Sequence, residues 1–214
     1  MRSIALIDYG SGNLRSAEKA LVKASAGLAR ACAIETTADP ETIARADGVV
    51  LPGVGAFAAC IALLDAKPGL REAMTEAVRR RGAPFLGVCV GMQLMASAGL
   101  EFGETPGLDW IEGEVRRIEP SDRLFKVPHM GWNALSEVNG HPVLKDAPNG
   151  THMYFTHSFA YHPAEARDVA AWTDHGGRFA AVVARDNLVG VQFHPEKSQA
   201  AGLRLLANFL EWRP

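Results

Sequence analysis

The sequence has few of the features that mark a secreted, membrane or nucleic-acid-binding protein. Its three cysteines, Cys32, Cys60 and Cys89, lack the number and spacing of a disulfide framework, which favours a reducing compartment. No apolar run approaches the ~20 residues that span a bilayer, and the net charge of -2 gives no attraction to nucleic acids or membranes. The N-terminal segment reaches an acidic residue, Asp8, too early for a signal peptide. We therefore expect a cytoplasmic protein.

The remaining composition is that of a globular protein with an ordinary core. Of the 214 residues, 48% are hydrophobic and 21% are charged, which supplies enough apolar surface for one hydrophobic core. We therefore expect a single domain over residues 1–214. The one basic cluster, Arg79-Arg80-Arg81, ends a helical pattern before Gly82, where cations stabilise the helix C-terminus.

In the first half of the chain, apolar runs with strand character alternate with helical patterns. Strands are expected at residues 4–7, 28–34, 48–51 and 84–88. Helices are expected at residues 14–26, 56–65 and 70–81, and Asp39-Pro40-Glu41 has the pattern of a helix start. Such alternation is typical of a parallel sheet covered by helices on both faces.

The second half of the chain has a different texture. Shorter strands, separated by Gly, Pro, Asn and Asp, are expected at residues 115–118, 151–159, 169–172, 180–184 and 188–193. The chain closes with an amphipathic helical pattern that places Leu203, Leu206, Ala207 and Leu210 on one face. We predict an α/β fold: a three-layer, doubly wound, mostly parallel sheet of the flavodoxin-like kind, with an added antiparallel portion in the C-terminal half.

Cys89 lies in a short glycine-flanked segment, Gly87-Val88-Cys89-Val90-Gly91. The segment joins the apolar run at 84–88 to a stretch with helix propensity at 92–96. A Gly-x-nucleophile-x-Gly segment between a strand and a helix is the pattern of a nucleophile elbow, here with Cys in the usual place of Ser. The tight turn requires small neighbours and lifts the nucleophile above the edge of the sheet. The alternative is a core cysteine that packs beside two glycines.

A base for this thiol is expected near the C-terminus. A thiol with its ordinary pKa of roughly 8.5 is mostly protonated at neutral pH and needs a base to attack. His194 follows an apolar run and precedes Pro195, which disfavours helical geometry at His194. Residues two apart in an extended chain point the same way, so Glu196 can approach the imidazole and orient it. The predicted catalytic residues are therefore Cys89, His194 and Glu196.

Further segments extend this pattern over nearly the whole chain. They are Asp8-Tyr9-Gly10, Gly12-Asn13-Leu14, Pro52-Gly53-Val54-Gly55-Ala56-Phe57, Val127-Pro128-His129-Met130-Gly131-Trp132-Asn133 and Gly190-Val191-Gln192-Phe193-His194-Pro195-Glu196-Lys197-Ser198. Together with the elbow and Gln93, they resemble the class I (triad-type) glutamine amidotransferases, in particular the glutaminase subunits that serve histidine biosynthesis. Such members often carry Leu and Tyr where this chain has Val90 and Phe159, so a hydroxyl is missing near the expected substrate pocket.

The resemblance implies a chemistry for the triad. Cys89 attacks the side-chain amide of glutamine, and a glutamyl thioester forms as ammonia leaves. His194 takes the thiol proton, gives it to the leaving amine and then activates the water that hydrolyses the thioester. Glu196 orients His194.

The resemblance also assigns residues that bind the oxyanion and the substrate. The oxyanion hole would consist of the Val90 N–H and a donor from Gly53 and Val54. The glycines near Val54 let that peptide change orientation, so that a flip could switch the site on. The substrate-binding residues would be Gln93, Ser158 and Phe159.

A partner is implied as well. Ammonia would pass to a (β/α)₈-barrel cyclase, in a heterodimer, which makes imidazole glycerol phosphate and an aminoimidazole carboxamide ribonucleotide. The residues expected at or near the docking face are Asn13, Trp132, Tyr154 and Lys197. We expect no cofactor and no metal site.

Other interpretations of the sequence remain. The chain could be the glutaminase subunit of a different amidotransferase pathway or another cysteine hydrolase; a binding module with an inactive triad is disfavoured because all three triad residues are present. Gly10-Ser11-Gly12-Asn13 hints at a phosphate loop, but Arg15 stands where the third glycine is needed. Three histidines recur every five residues, a spacing that alternates strand faces and disfavours a metal site. They are His152, His157 and His162.

Overall fold

A computed structural model describes the whole chain, residues 1–214. Strands and helices alternate through the first half, as expected. The elements there are β1 (Ser3–Ile7), α1 (Leu14–Ala26), β2 (Ala33–Thr37), α2 (Pro40–Arg45), β3 (Gly48–Gly53), α3 (Phe57–Asp65), α4 (Leu70–Thr75), β4 (Phe85–Cys89) and α5 (Val90–Gln93). A π-helical segment, Glu76–Arg80, continues α4.

Short strands fill most of the second half, and a helix closes the chain. The elements are β5 (Ala98–Gly99), β6 (Thr105–Pro106), β7 (Gly113–Arg117), β8 (His129–Ala134), β9 (His152–His157), β10 (Phe159–Pro163), β11 (Val169–Asp174), β12 (Arg178–Arg185), β13 (Leu188–Val191) and α6 (Gln199–Glu211). None of the helices is both long and apolar enough to cross a bilayer.

A seven-stranded sheet forms the centre of the molecule, in the order β11-β12-β13-β4-β3-β1-β2. All neighbours pair in parallel except at β12, which is antiparallel to both β11 and β13. The run β2-β1-β3-β4-β13 has the strand order of flavodoxin-like doubly wound sheets, which bind ligands beyond the carboxyl ends of the strands. Every residue of β3 and β4 is buried, as expected for parallel strands covered on both faces. The predicted fold class is confirmed.

The antiparallel pairs are divided among three sheets, and the second of these sheets is mixed because β5 and β7 pair in parallel. Strands β11 and β12 extend the central sheet, β10-β7-β5-β6 form a second sheet, and β8 pairs with β9 in a hairpin. The single strand expected at 151–159 is wrong, because the chain breaks at Ser158 and continues as β10 in a different sheet. The Ser158 carbonyl accepts a hydrogen bond from the Ile118 N–H, which ties the break to the neighbouring sheet.

Two predicted boundaries are also wrong, and one predicted helix has the expected extent but changes type along its length. The strand expected at 28–34 begins at Ala33, because Ala33 pairs with Ser3 of β1 and the Leu28 N–H still bonds to the end of α1. The helix expected at 70–81 widens into a π-helical segment after Thr75. The helix after the elbow ends at Gln93, because the carbonyls of residues 94–96 accept hydrogen bonds from the backbone of residues 108–111.

Candidate active site

The segment around Cys89 folds as the strand–turn–helix that its glycines predict. Cys89 ends β4 with φ 55° and ψ -112°, a strained conformation for a residue other than glycine, and α5 begins at the next residue. A Cβ atom on Gly87 would lie 2.5 Å from the Gly91 carbonyl oxygen, and one on Gly91 would lie 1.9 Å from the Leu51 carbonyl oxygen. Both flanking positions therefore require glycine.

His194 and Glu196 form a buried pair close to the elbow. The distance from His194 Nδ1 to Glu196 Oε1 is 2.8 Å, and the two side chains are only 3% and 6% exposed. His194 is extended, as expected, but Pro195 starts a 3₁₀ turn, Pro195–Lys197. The contact thus arises through a turn and not through an extended chain, which corrects the predicted reason. Hydrogen bonds from the His194 N–H to the Tyr154 carbonyl and from the Ser198 hydroxyl to the His194 carbonyl hold this backbone in place.

The electrostatics of the pair favour a charged imidazole. Burial alone would lower the pKa of His194, but interactions with Cys89 and with the Glu196 carboxylate outweigh it and raise the pKa to about 9. The Nε2 atom is buried and has no hydrogen-bond partner of normal geometry. It is thus available to a substrate or to the thiol when the site rearranges slightly.

Gly53 and Val54, the segment predicted to supply an oxyanion donor, lie directly beside Cys89. We call this segment the oxyanion strand. Gly53 ends β3 opposite Cys89 in the parallel ladder. The Val54 N–H, however, donates to the Ser11 hydroxyl oxygen at 3.1 Å, and the same hydroxyl donates back to the Val54 carbonyl at 2.8 Å. The Cys60 thiol also donates to that carbonyl at 3.3 Å. In this conformation the Val54 N–H is therefore not free to bind an oxyanion.

Val90 is the first residue of α5, and the first N–H groups of a helix have no partner within the helix. Its N–H therefore meets the requirement for the other predicted oxyanion donor.

A cavity of about 320 Å³ brings together most of the predicted site residues. Its walls include Cys89, Val90, Gln93, Ser158, Phe159 and His194. Val54 also lines it, whereas Gly53 lines a much smaller cleft of about 20 Å³ behind the triad.

Gln93 and the unpredicted Gln192 form a buried amide network at the base of this cavity. Gln93 Nε2 donates to the Phe159 carbonyl at 2.9 Å and to Gln192 Oε1 at 3.0 Å. Gln192 Nε2 in turn lies 3.8 Å from Cys89 Sγ. Gln192 is completely buried. The sequence signal that could have identified it is its position as a polar residue inside the apolar run before His194.

A second residue missed by sequence reasoning is Glu101. Its side chain lines the cavity, and its Oε2 accepts a hydrogen bond from the Phe57 N–H at the start of α3 at 2.9 Å. The segment around it has no regular pattern, so nothing in the sequence indicated its position.

Three of the four predicted docking residues lie together, and one of them, Lys197, lines the cavity. Trp132 and Tyr154 face each other across the β8–β9 hairpin, with ring centroids 6.0 Å apart. Lys197 Nζ lies 5.7 Å from the Tyr154 ring, and Trp132 is 47% exposed. Asn13 makes none of these contacts and lines the small cleft with Val54.

Neither alternative site, the glycine-rich loop at 10–13 or a metal site, forms an arrangement comparable to the one around Cys89. Gly12 packs against Pro52 and Ser11 binds Val54, so the loop at 10–13 serves the oxyanion strand. No group of three or more His, Cys, Asp or Glu side chains is arranged to hold a metal ion.

The match to a family model defines the class of this protein as the class I glutamine amidotransferases. The model of the family described as glutamine amidotransferase class-I matches residues 5–212. Solved structures with less than 25% identity agree at the level of the fold. One described as a glutamine amidotransferase superimposes with a TM-score of 0.70 at 19% identity, covering 97% of both chains. A putative GMP synthase protein from Thermoplasma acidophilum superimposes with a TM-score of 0.66 at 20% identity, covering 98% of this chain and 92% of that one.

The sequence relatives are much closer. The chain is 61% identical over 214 residues to the imidazole glycerol phosphate synthase subunit HisH of Caulobacter vibrioides, covering 100% of both proteins. It is 53% identical over 212 residues to the protein of the same name in Rhodospirillum rubrum, covering 99% of both. The chain therefore belongs to the class I glutamine amidotransferase family and, within it, to the HisH subunits of imidazole glycerol phosphate synthase.

Proposed function

We propose that the chain hydrolyses glutamine through Cys89, His194 and Glu196 and passes the ammonia to a (β/α)₈-barrel cyclase. The cyclase would make imidazole glycerol phosphate and an aminoimidazole carboxamide ribonucleotide in histidine biosynthesis, in the cytoplasm. The proposal rests on one observation: the strained elbow residue Cys89 and His194, the imidazole of a buried His–Glu pair, line the same cavity.

Each triad member has a role that follows from its position. The Cys89 thiolate attacks the carboxamide carbon, and the tetrahedral oxyanion collapses to a thioester as ammonia leaves with the proton from His194. His194 then takes a proton from water, hydroxide adds to the thioester, and glutamate and the Cys89 thiol are released. Glu196 keeps Nδ1 protonated and stabilises the imidazolium.

The cavity also offers groups that fit the rest of the substrate. The Gln93 carbonyl oxygen accepts no hydrogen bond from the protein, so it can accept one from the substrate amide. Glu101 supplies a carboxylate that fits the α-amino group of glutamine. The backbone of Ser158 and Phe159 would hold the amino-acid end.

The resting oxyanion strand supports control by the partner. The N–H of the Gly53–Val54 peptide donates to the Ser11 hydroxyl, and Ser11 and Cys60 both donate to the Val54 carbonyl of the next peptide, so one of the two predicted oxyanion donors is already occupied. Losing one such donor typically costs about 10²–10³-fold in rate. We infer that nucleotide bound to the cyclase favours the flipped peptide, and that Asn13, Trp132, Tyr154 and Lys197 transmit this preference across the docking face.

Replacing the nucleophile tests the proposed function. We expect Cys89→Ala to abolish glutamine hydrolysis while the cyclase still makes product from added ammonium salt, because its chemistry needs ammonia and not this thiol. Cys32→Ala is the matched control, since Cys32 is distant in the fold and its thiol bonds only to the Leu210 carbonyl. Glutamine-dependent product formation by Cys89→Ala would refute the assignment.

A further inference from the structure

Two buried imidazoles, one of which lines the substrate cavity, have no part in the triad. His129 of β8 and His157 of β9 face each other in the hairpin, and His129 Nδ1 lies 3.0 Å from His157 Nε2. His129 is stacked between Phe155 and His175, with ring centroids 4.8 Å and 4.2 Å away. A buried polar pair of this kind costs free energy unless every polar atom finds a partner.

Burial keeps both rings neutral. Together with the neighbouring histidines, it lowers the pKa of His129 to about 3 and the pKa of His157 to about 4. A neutral imidazole has one donor and one acceptor nitrogen. The partner at one end of the pair therefore fixes the tautomer of both rings.

The partners form a chain with one consistent direction. His157 Nδ1 faces the Phe159 carbonyl at 2.8 Å, and a carbonyl can only accept, so Nδ1 carries the proton and Nε2 accepts. His129 must then donate from Nδ1 and accept at Nε2, where Asn133 Nδ2 lies 3.1 Å away. Asn133 Nδ2 also donates to the Asp174 carbonyl at 2.7 Å. Every ring nitrogen is satisfied.

The chain continues into the active site. The Phe159 carbonyl accepts from both His157 and Gln93, so Gln93 must turn its nitrogen toward that carbonyl. The Gln93 oxygen is then left for the cavity. The same Gln93 nitrogen orients Gln192, whose own nitrogen faces Cys89 Sγ.

We propose that His157, held in its tautomer by His129, is a positioning residue for glutamine binding. It fixes the Phe159 carbonyl and thereby orients the Gln93 amide toward the substrate. This role rests on the proposed function, because it assumes that glutamine occupies the cavity beside Gln93.

The tautomers are measured on the wild-type chain, without any substitution. Nitrogen-15 NMR of the full chain at pH 7 should show both rings neutral and protonated at Nδ1. A ring of His129 or His157 that carries its proton on Nε2, or on both nitrogens, would overturn the proposal.

Two substitutions at His157 separate positioning from simple packing. An Asn amide nitrogen occupies roughly the place of Nδ1, so His157→Asn keeps the donor to Phe159. His157→Gln places its polar end near Nε2, which keeps a partner for His129 but removes that donor. Each variant loses one buried hydrogen bond, so their thermal midpoints should be similar.

The two variants should differ in substrate binding. In complex with the cyclase, we expect His157→Gln to raise KM for glutamine at least ~10-fold, the cost of about one hydrogen bond. Its kcat should change less than KM, and His157→Asn should stay within ~3-fold of wild type in both. If the wild-type complex hydrolyses glutamine and the two variants have equal KM values, the positioning role is overturned. A wild-type complex that releases no ammonia from glutamine would instead refute the proposed function and this role together.

Discussion

At the scale of single residues, the balance of forces on His194 decides how the site works. The imidazole is buried, yet its pKa is raised to about 9 because Cys89 and Glu196 favour the charged form more than burial opposes it. Glu196 reaches Nδ1 at 2.8 Å and thus leaves Nε2 as the only nitrogen that can serve the thiol and the leaving amine. In the proposed mechanism the two residues have separable roles, one chemical and one orienting.

This separation predicts unequal losses. In Ser–His–Asp enzymes, removing the histidine costs about 10⁶-fold in kcat and removing the acid about 10⁴-fold. We expect the same order here, with His194→Ala impaired more than Glu196→Gln, because the Gln variant misorients the base without deleting it. Ammonia release from glutamine by the complex measures both. Equal losses would show that Glu196 does more than orient His194.

The raised pKa also predicts how stability depends on pH. Because the folded value lies above the unfolded value of roughly 6.5, charged His194 stabilises the fold fully below pH 6.5 and progressively less up to about pH 9. Glu196→Gln should therefore lower the free energy of unfolding by about 2 kcal/mol at pH 6 and by less at pH 9.5. Urea unfolding at the two pH values measures this. The control is Glu76→Gln, which breaks an exposed pair with Arg80 and should show no such difference.

Ser11 is predicted to hold the resting state. Its hydroxyl accepts the N–H of the Gly53–Val54 peptide and donates to the Val54 carbonyl of the next peptide, so Ser11→Ala should free the Gly53–Val54 peptide to present its N–H to the oxyanion. We expect the glutaminase rate of the isolated chain to rise ~10-fold or more, within the range that one oxyanion donor contributes.

Ser25→Ala is a matched control for this prediction. The Ser25 hydroxyl binds the N–H and the carbonyl of Cys32 in the same manner, but far from the site. This variant should leave the unstimulated rate unchanged. A Ser11→Ala rate at or below that of wild type would contradict the proposed resting state.

At the scale of elements, the elbow depends on the close approach of α5 to β3. Gly91 leaves no room for a side chain, since an added Cβ would lie 1.9 Å from the Leu51 carbonyl oxygen. The Cys89 backbone is strained at the same turn. The position of the nucleophile is therefore set by packing between a helix and a strand, and not by local preference alone.

We expect Gly91→Ala to reduce the free energy of unfolding by more than about 3 kcal/mol, because backbone atoms must move to admit the methyl group. Gly140→Ala is the matched control, since nothing lies within 4 Å of a Cβ there and φ of Gly140 is outside the left-handed region. Urea unfolding of both variants tests the difference. Similar stabilities would show that the elbow adapts to a larger residue.

Elements were predictable where local pattern and tertiary environment agree. The alternation that predicts β1, β3 and β4 reflects burial on both faces, and Asp39 caps α2 by accepting a hydrogen bond from the Thr42 N–H as its pattern suggests. The helix after the elbow was overpredicted because distant residues, such as Leu108, take the Leu94 carbonyl that a longer helix would need. A hydrogen bond between segments this far apart leaves no trace in local periodicity.

At the scale of the whole molecule, the cavity opens beside an exposed aromatic and basic rim. Trp132, Tyr154 and Lys197 lie together there, and Met130, on the same strand as Trp132, is 63% exposed. Ammonia released into water would be protonated, and the partner could then no longer use it. A rim that seals against another protein fits the need to keep ammonia enclosed.

We expect a heterodimer with the cyclase that buries at least ~1,000 Å² and covers this rim. Lys197→Glu should weaken the complex at least ~10-fold in Kd, because it reverses a charge beside Tyr154 on this surface. Arg79→Glu makes the same change in charge. Arg79 lies on a helical segment that precedes the amino end of β4, whereas Cys89 lies at the carboxyl end of that strand. This variant should have no effect on Kd. Sedimentation velocity at micromolar concentration measures both. Equal affinities for the two variants would place the interface elsewhere.

Sequence patterns alone were enough to predict the fold class and the elbow and to propose Cys89, His194 and Glu196 as a triad. Short segments of sequence are sufficient for these predictions, because glycine spacing, an apolar strand and a proline after His194 act on the backbone locally. Three contacts could be seen only in the folded molecule: Ser11 with Val54, Gln192 with Cys89, and His157 with Gln93 through the Phe159 carbonyl. Each of these is a hydrogen bond between segments far apart in the chain, and its geometry exists only once the sheets have packed.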